Sequence, residues 1–326
     1  MSKTKSYKKN FSTIFFIILF LLIAIILYQT FYSNNKTPDG LLKVYFIDSG
    51  QSDCILIETP NGKHMLIDSG DNGDETIIRK FLNSKGVKQI EYAFFTHPHA
   101  DHIGGAYEVV NEYDVLNIIM PDKAVDTATY KKLIDEASKK EITALHPELG
   151  FSIIVDDVKI TVFSPISKDY GSNINEYSIV LRMDYGDTSF LFTGDAEEEN
   201  ELEMLNAGFD LDVDILKVGH HGSSTSSSVM FLQAVTPEYS IILCGTENKF
   251  GHPHDETLSK LNDVSSVIYR TDQNGSVTVT TDGKQITVTP EKAFDESAFY
   301  IPNIKFYKIS GRFSPALFFY DNYDFK

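Results

Sequence analysis

FFTHPHADHIGG, residues Phe94–Gly105, decides how this chain is read. It holds three of the nine histidines, His97, His99 and His102, together with Asp101. The apolar YAFF before it reads as a strand, and strand side chains alternate with period two, so an extended Thr96–His99 would send His97 and His99 the same way. Asp101 and His102 are then expected at the turn into a helix beginning near Ile103. Gly104 and Gly105 would let backbone approach closely there. One loop thus offers two pairs of ligand groups, and neutral imidazole with carboxylate suits zinc, manganese or ferrous iron.

Two further segments carry the same chemistry. In FLFTGDAEEE, Asp195 ends an apolar run, placed either to bridge two metals or to cap the helix read over 197–205. In ILKVGHHGSSTSSS, His220 and His221 follow another apolar run between Gly219 and Gly222. They could be ligands or an ordinary turn, and the polar stretch Gly222–Ser228, with Ser223, could bind an anion or be a flexible loop.

The surrounding pattern alternates β-branched runs with helical spacing. Strands are expected at Lys43–Asp48, Cys54–Glu58, Met65–Asp68, Tyr92–Phe95, Lys159–Phe163, Ser178–Asp184, Ser189–Thr193, Asp214–Val218 and Tyr239–Leu243. Helices are expected at Glu75–Leu82, Thr129–Ser138 and Glu197–Leu205. Ser276–Thr281 and Gln285–Thr289 flank Asp282-Gly283 as a closing hairpin. MLIDSGDN (65–72) and FLFTGDAE (190–197) echo one another, as two similar halves packed face to face would. The pattern as a whole predicts layered sheets covered by helices.

Composition sets the limits. Of 326 residues 42% are hydrophobic, enough for a core. A formal charge of −17 excludes a protein that coats nucleic acid electrostatically, though not one that holds a phosphodiester through metal ions. Lys3, Lys5, Lys8 and Lys9 precede an uncharged stretch, Phe11–Tyr32, that at 1.5 Å per residue reaches roughly 33 Å. This predicts a basic tip and an uncleaved signal anchor over 1–36, one transmembrane helix with the remainder outside the cytoplasmic membrane. Cys54 and Cys244 read as buried free thiols. Residues 291–326 form an aromatic-rich tail to which the sequence assigns no role.

His97-x-His99-x-Asp101-His102, then Asp195, then His220, resembles the metallo-β-lactamase fold superfamily. VYFIDSGQSDCILIETPNGKHMLIDSG, NEYSIVLRM, FLFTGDAE, LKVGHHGSSTSSS and NKFGHPH, in that order, are similar to the soluble hydrolase domain of ComEC-type competence proteins. The resemblance implies an α/β fold, a four-layer αββα sandwich over residues 37–290, and a hydrolase using two divalent metals, zinc or manganese. It gives His97 and His99 to one metal, Asp101, His102 and His220 to the other, and Asp195 to both, leaving His221 to substrate binding or support. A third histidine expected before Asp195 is missing, since His146 comes too early, and Asn175 and Ser178 of NEYS occupy its region. The implied chemistry is hydrolysis by a metal-activated water, oriented by Asp101 or Asp195. His252 of FGHPH is a candidate to hold a phosphate oxygen or protonate a leaving group. The expected substrate is a phosphodiester, with single-stranded DNA as a partner. A small exported or wall-linked ester (choline-phosphate or lactone) is the rival, and a membrane-tethered binding role the non-catalytic alternative. The metal's identity, the substrate and the oligomeric state are not written in the sequence.

Overall fold

The computed structural model describes residues 15–20, 40–293, 307–309 and 312–314. The strands expected between Lys43 and Thr289 and the helices expected at Glu75–Leu82, Thr129–Ser138 and Glu197–Leu205 are present, their ends shifted by no more than two residues. The first sheet runs, in spatial order, Ile286–Pro290, Val277–Thr281, Leu42–Phe46, Ile55–Glu58, His64–Ile67, Tyr92–Phe94, Ile118–Ile119 and Ala144–Leu145. The second runs Val267–Arg270, Tyr239–Ile242, Ile215–Lys217, Thr188–Phe192, Val180–Tyr185, Val158–Ser164 and Ser152–Val155. The closing hairpin is not an appendage: Val277–Thr281 pairs antiparallel with Leu42–Phe46, so the chain ends its sandwich on the strand where it began it.

The echo between 65–72 and 190–197 has a structural counterpart. Strands His64–Ile67 and Thr188–Phe192 are each antiparallel to the strand before them and parallel to the strand that follows. Beyond them both sheets continue parallel, through Ile118–Ile119 and Ala144–Leu145 in one and Tyr239–Ile242 and Val267–Arg270 in the other. All these parallel strands present their carboxyl ends on one edge, the usual position for a ligand crevice in α/β sheets.

Alternation along the strands sends one set of side chains outward to helices and the other inward to the facing sheet. Ile78 and Leu82 of Glu75–Ser84, Val109 of Ala106–Glu112, and Leu133 and Ala137 of Ala128–Lys139 cover Tyr45, Leu56, Leu66 and Ala93 on the first sheet. Met204 of Glu198–Ala207, Phe231 and Leu232 of Val229–Val235, and Leu261 of Asp255–Asp263 cover Leu191, Leu216 and Ile242 on the second. Between the sheets Phe46 stacks on Phe192 at 6.1 Å. Each ring is fully buried, a burial worth about 1.5–3 kcal/mol. The layers are therefore αββα. Caps fix two of the helices: Thr127 accepts from Tyr130 N at 3.2 Å, and Ser228 from Phe231 N at 3.4 Å.

Cys54 and Cys244 are buried free thiols, as expected. Among the described residues no helix is long and apolar enough to cross a membrane. The expected anchor, Phe11–Tyr32, lies outside them except for the helical residues 15–20. Residues 293–326 form a separate unit, in which Tyr307–Ile309 pairs antiparallel with Arg312–Ser314.

Candidate metal centre

The ligand-type side chains sit where strands end. His97 and His99 follow Tyr92–Phe94, Asp195 follows Thr188–Phe192, and His220 and His221 follow Ile215–Lys217. The first motif turns into a helix sooner than the sequence suggested. Ala100–Ile103 is helical, so Asp101 and His102 lie within its only turn rather than before it. Gly104 explains why the turn fits: a Cβ there would lie 2.1 Å from Asp71 C and 2.2 Å from Asn72 N. With no side chain, Gly104 N donates to Gly70 O at 2.8 Å, Gly105 N to Ser69 O at 3.0 Å and Ser69 N to His102 O at 2.7 Å, stitching the motif onto the 69–72 turn.

Asp195 is the centre of the arrangement, with one carboxylate oxygen for each of two histidine pairs. Its Oδ1 lies 3.2 Å from His102 Nε2 and 3.7 Å from His221 Nε2, and His221 Nε2 lies 3.5 Å from Asp101 Oδ2. Its Oδ2 lies 3.8 Å from both His97 Nε2 and His220 Nε2, and His97 Nε2 lies 3.0 Å from His99 Nδ1. Asp101, His102, Asp195 and His221 thus form one compact group able to hold a metal ion.

The two adjacent histidines lie differently from the arrangement the resemblance implies. His221, not His220, joins Asp101 and His102, while His220 turns to the His97–His99 side. The cause is the backbone: both residues are left-handed, His220 at φ 48°, ψ 49° and His221 at φ 52°, ψ 23°. Strand alternation is broken, and neighbouring rings reach the two sides of one carboxylate. Such conformations cost roughly 1–2 kcal/mol per non-glycine residue, and they cluster at functional sites.

Supporting groups aim the rings. His102 Nδ1 donates to Asp68 Oδ2 at 2.8 Å and His221 Nδ1 to Leu243 O at 2.9 Å, leaving both Nε2 atoms directed at Asp195. His220 Nδ1 donates to Glu197 Oε1 at 3.1 Å, and the same carboxylate accepts from Thr225 Oγ1 at 2.8 Å. Ser178 Oγ accepts from Asp195 N at 3.1 Å and lies 3.3 Å from His97 Nδ1. Behind the site, Asp53 Oδ1 lies 3.3 Å from His221 Nδ1, and its other oxygen is bonded to the Lys217 ammonium, which also donates to Gly194 O at 3.1 Å. Both partners are almost fully buried. Asp53, Asp68 and His102 form a second acidic group, already occupied by that ammonium and by these hydrogen bonds.

Burial acts on every titratable group here, and the neighbours decide the outcome. Burial alone would lower His102 and His221. Asp195 and Asp68 outweigh it and raise His102 well above its ordinary value, while Asp195 and Asp53 push His221 up to about 10. Burial and the nearby His102 charge hold His97 well below its usual value. Asp195 is held low against the opposing effect of burial by His102 and His221. The pocket is built to surround positive charge with carboxylate. His102 Nε2, His221 Nε2 and Asp195 Oδ1 are also buried without hydrogen-bond partners. A divalent cation would satisfy all three, so the residues fit a metal.

The remaining expected residues divide. Asn175, on the Asn175–Tyr177 turn, places its Nδ2 3.4 Å from His220 Nε2. His252 joins the rim, its ring 5.4 Å from His220 and 6.3 Å from His221. Ser223 is turned inward instead: its Oγ contacts Thr225 Oγ1 at 3.1 Å and its carbonyl accepts from Thr257 Oγ1 at 2.9 Å. The Gly222–Ser228 stretch is no open anion site, because Ser227 N and Ser228 N already hold the Glu201 carboxylate. His146 bonds Met120 O at 3.0 Å. Sequence reading passed over Asp53, Asp68, Lys217, Glu197 and Gln51. A buried carboxylate or lysine inside an apolar run was the available signal for Asp53 in SDCILI, Asp68 in MLIDSG and Lys217 in ILKVG.

A four-layer sandwich whose strands end at paired histidines around a shared aspartate defines a metallo-β-lactamase-fold hydrolase. Residues 47–246 match the Metallo-beta-lactamase superfamily, Lactamase_B, and the chain belongs to that superfamily. It is 32% identical over 253 residues to ComE operon protein 3 of Bacillus subtilis, covering 72% of this chain and 32% of that protein. It is 30% identical over 238 residues to Recombination protein 2 of Haemophilus influenzae, covering 72% and 28%. Against Competence protein ComA of Neisseria gonorrhoeae it is 29% identical over 248 residues, covering 76% and 33%. The chain therefore spans no more than 33% of the length of these curated relatives. Among solved structures the metallo-beta-lactamase fold protein YhfI of Bacillus subtilis superposes with a TM-score of 0.51 at 12% identity, over 74% of this chain and 100% of that one. The diiron β-hydroxylase CmlA of Streptomyces venezuelae gives 0.50 at 12% identity, over 74% and 54%. Both likenesses concern the fold.

Proposed function

We propose that this protein is a phosphodiesterase using two divalent metal ions, zinc or manganese, and that it acts outside the cytoplasmic membrane, tethered by Phe11–Tyr32. The observation that carries the reading is Asp195, with one oxygen facing His102 and His221 and the other facing His97 and His220. Asp101, His102, Asp195 and His221 would hold one ion, and His97, His99, Asp195 and His220 the other. His220, held by Glu197 at 3.1 Å, would then supply the third imidazole to that second ion. Ions so bound supply Lewis-acid polarisation and a nucleophilic water near neutral pH.

The chain's own part is orientation. Gln51 Oε1 accepts from Gly245 N at 2.9 Å, so its amide nitrogen, 3.4 Å from His252 Nδ1, is the donor to that ring. His252 therefore carries its proton on Nε2. Burial and the neighbouring His220 lower its pKa to about 4, so the ring is neutral at pH 7. A neutral ring suits donation of a hydrogen bond to a phosphate oxygen better than delivery of a proton to a leaving group. A DNA-type phosphodiester is supported by kinship with proteins named for competence and recombination.

Elemental analysis and turnover of the purified full chain test the reading together. Asp195→Asn is expected to lose both ions, His221→Ala the one shared with Asp101, and His220→Ala to weaken the other. The metal-loaded protein is expected to cleave a phosphodiester, and Asp101→Ala to abolish cleavage. Lactone hydrolysis without phosphodiester cleavage would replace this reading with the small-ester one. Full metal content with no turnover on either would leave a binding role.

A further inference from the structure

Phe250 is the exposed phenylalanine of the described sandwich, 52% accessible, and it lies on the rim of the metal centre. Its ring lies 5.6 Å from that of His252 with 22° between planes, and His252 lies 6.3 Å from His221 with 24° between planes. Three near-parallel rings thus step outward from the centre to solvent. The outermost is held in place. Asn248 Oδ1 accepts from Phe250 N at 3.2 Å and His252 N at 2.9 Å, and its Nδ2 donates to Gly245 O at 2.9 Å and His252 O at 2.6 Å. His254 Nε2 lies 3.2 Å from Phe250 O. Lys249 Nζ lies over the ring, 4.9 Å from its centroid.

A tied-down loop that keeps an aromatic face in water gives the fold nothing. It gives a flat ligand a platform, and it adds a cation for a neighbouring anion. We infer that Phe250 is a stacking platform for a nucleobase flanking the phosphodiester, with Lys249 neutralising the adjacent phosphate. The inference rests on the phosphodiesterase reading and names the feature that would select unpaired nucleic acid: bases within a duplex are already stacked. It also answers the charge problem. A protein of formal charge −17 lacks the broad basic surface that holds a strand electrostatically, so attachment must come from a local contact such as stacking.

The test measures binding and cleavage of two single-stranded oligonucleotides by the manganese-loaded full chain. One carries all its bases; the other has the same length and charge but abasic positions throughout. Fluorescence anisotropy is expected to show tighter binding of the base-bearing strand, by about tenfold. Phe250→Ala should abolish that preference, Phe250→Trp should keep it, and Lys249→Ala should weaken both strands alike. Equal binding of the two strands by the wild type, or a preference that survives Phe250→Ala, overturns the platform. Preference without cleavage leaves the platform standing and removes the phosphodiesterase reading. Cleavage without preference does the reverse, and neither binding nor cleavage removes both.

Discussion

Lys217→Met tests whether the ammonium behind the site is structural. Lys217 and Asp53 are almost fully buried and bonded to one another. The methionine keeps most of the apolar volume and deletes the charge. It leaves the Asp53 carboxylate facing His221 Nδ1 at 3.3 Å and His102 Nδ1 at 3.9 Å, and Gly194 O with His220 N as its remaining donor. Breaking a buried pair from one side costs about 3–5 kcal/mol. The two imidazoles, both raised in pKa, supply positive charge near Asp53 and soften the loss, so the lower end, about 3 kcal/mol, is expected. Asp53→Leu alone, which strands the lysine, should cost about as much. Replacing both partners with apolar side chains is close to neutral in comparable cases, so the double variant should fall well short of the summed losses, by roughly 3 kcal/mol or more. Thermal unfolding by circular dichroism in excess chelator reads this as a shift of roughly 6–12 °C for each single variant. A single-variant loss below about 1 kcal/mol, or a double variant that simply adds, would refute the reasoning.

Glu176 gives a pH signature: burial raises its pKa from 4.5 to about 7, with Glu197 adding to the shift. The folded chain binds this proton more tightly than the unfolded one, so Glu176's contribution to stability is fully present below pH 4.5 and is lost as pH rises through 7. Denaturation at pH 4 and pH 8 should therefore show Glu176→Gln matching wild type at the lower pH and exceeding it by roughly 3 kcal/mol at the higher; no gain at pH 8 would contradict the shift. Gly104→Ala should lose about 3 kcal/mol or more, because its Cβ meets backbone rather than a side chain that can move; near-wild-type melting would show that the 69–72 turn yields. Protease added to intact, wall-stripped cells should remove the sandwich domain, and protection until lysis would reverse the proposed topology.

The sequence carried the sandwich well because its long strands alternate and its principal helices show clear three- and four-residue spacing. It did not name the edge strands Ser152–Val155 and Val267–Arg270 or the helices Val229–Val235 and Asp255–Asp263, nor Ile118–Ile119 and Ala144–Leu145, two-residue strands with no period to detect. The candidate ligand residues were legible as far as Asp195. The division of labour between His220 and His221 was not, because it depends on two consecutive left-handed residues that composition does not announce. The pairing of Asp53 with Lys217 was not legible for another reason: it joins segments from different sheets, and only the folded chain brings them together.

The order of the strands also sets a timetable for biogenesis. His97, His99, Asp101 and His102 belong to the first sheet's half of the chain, whereas Asp195, His220 and His221 arrive with the second. The strand Leu42–Phe46, among the first made, waits for Val277–Thr281 before both its edges are paired. A growing chain thus carries part of the candidate ligand set until His220 and His221 are made, and an open strand edge until Val277–Thr281 follows. Hydrolytic competence would then come only after the second sheet has been made, and a chain cut short before His220 would lack it.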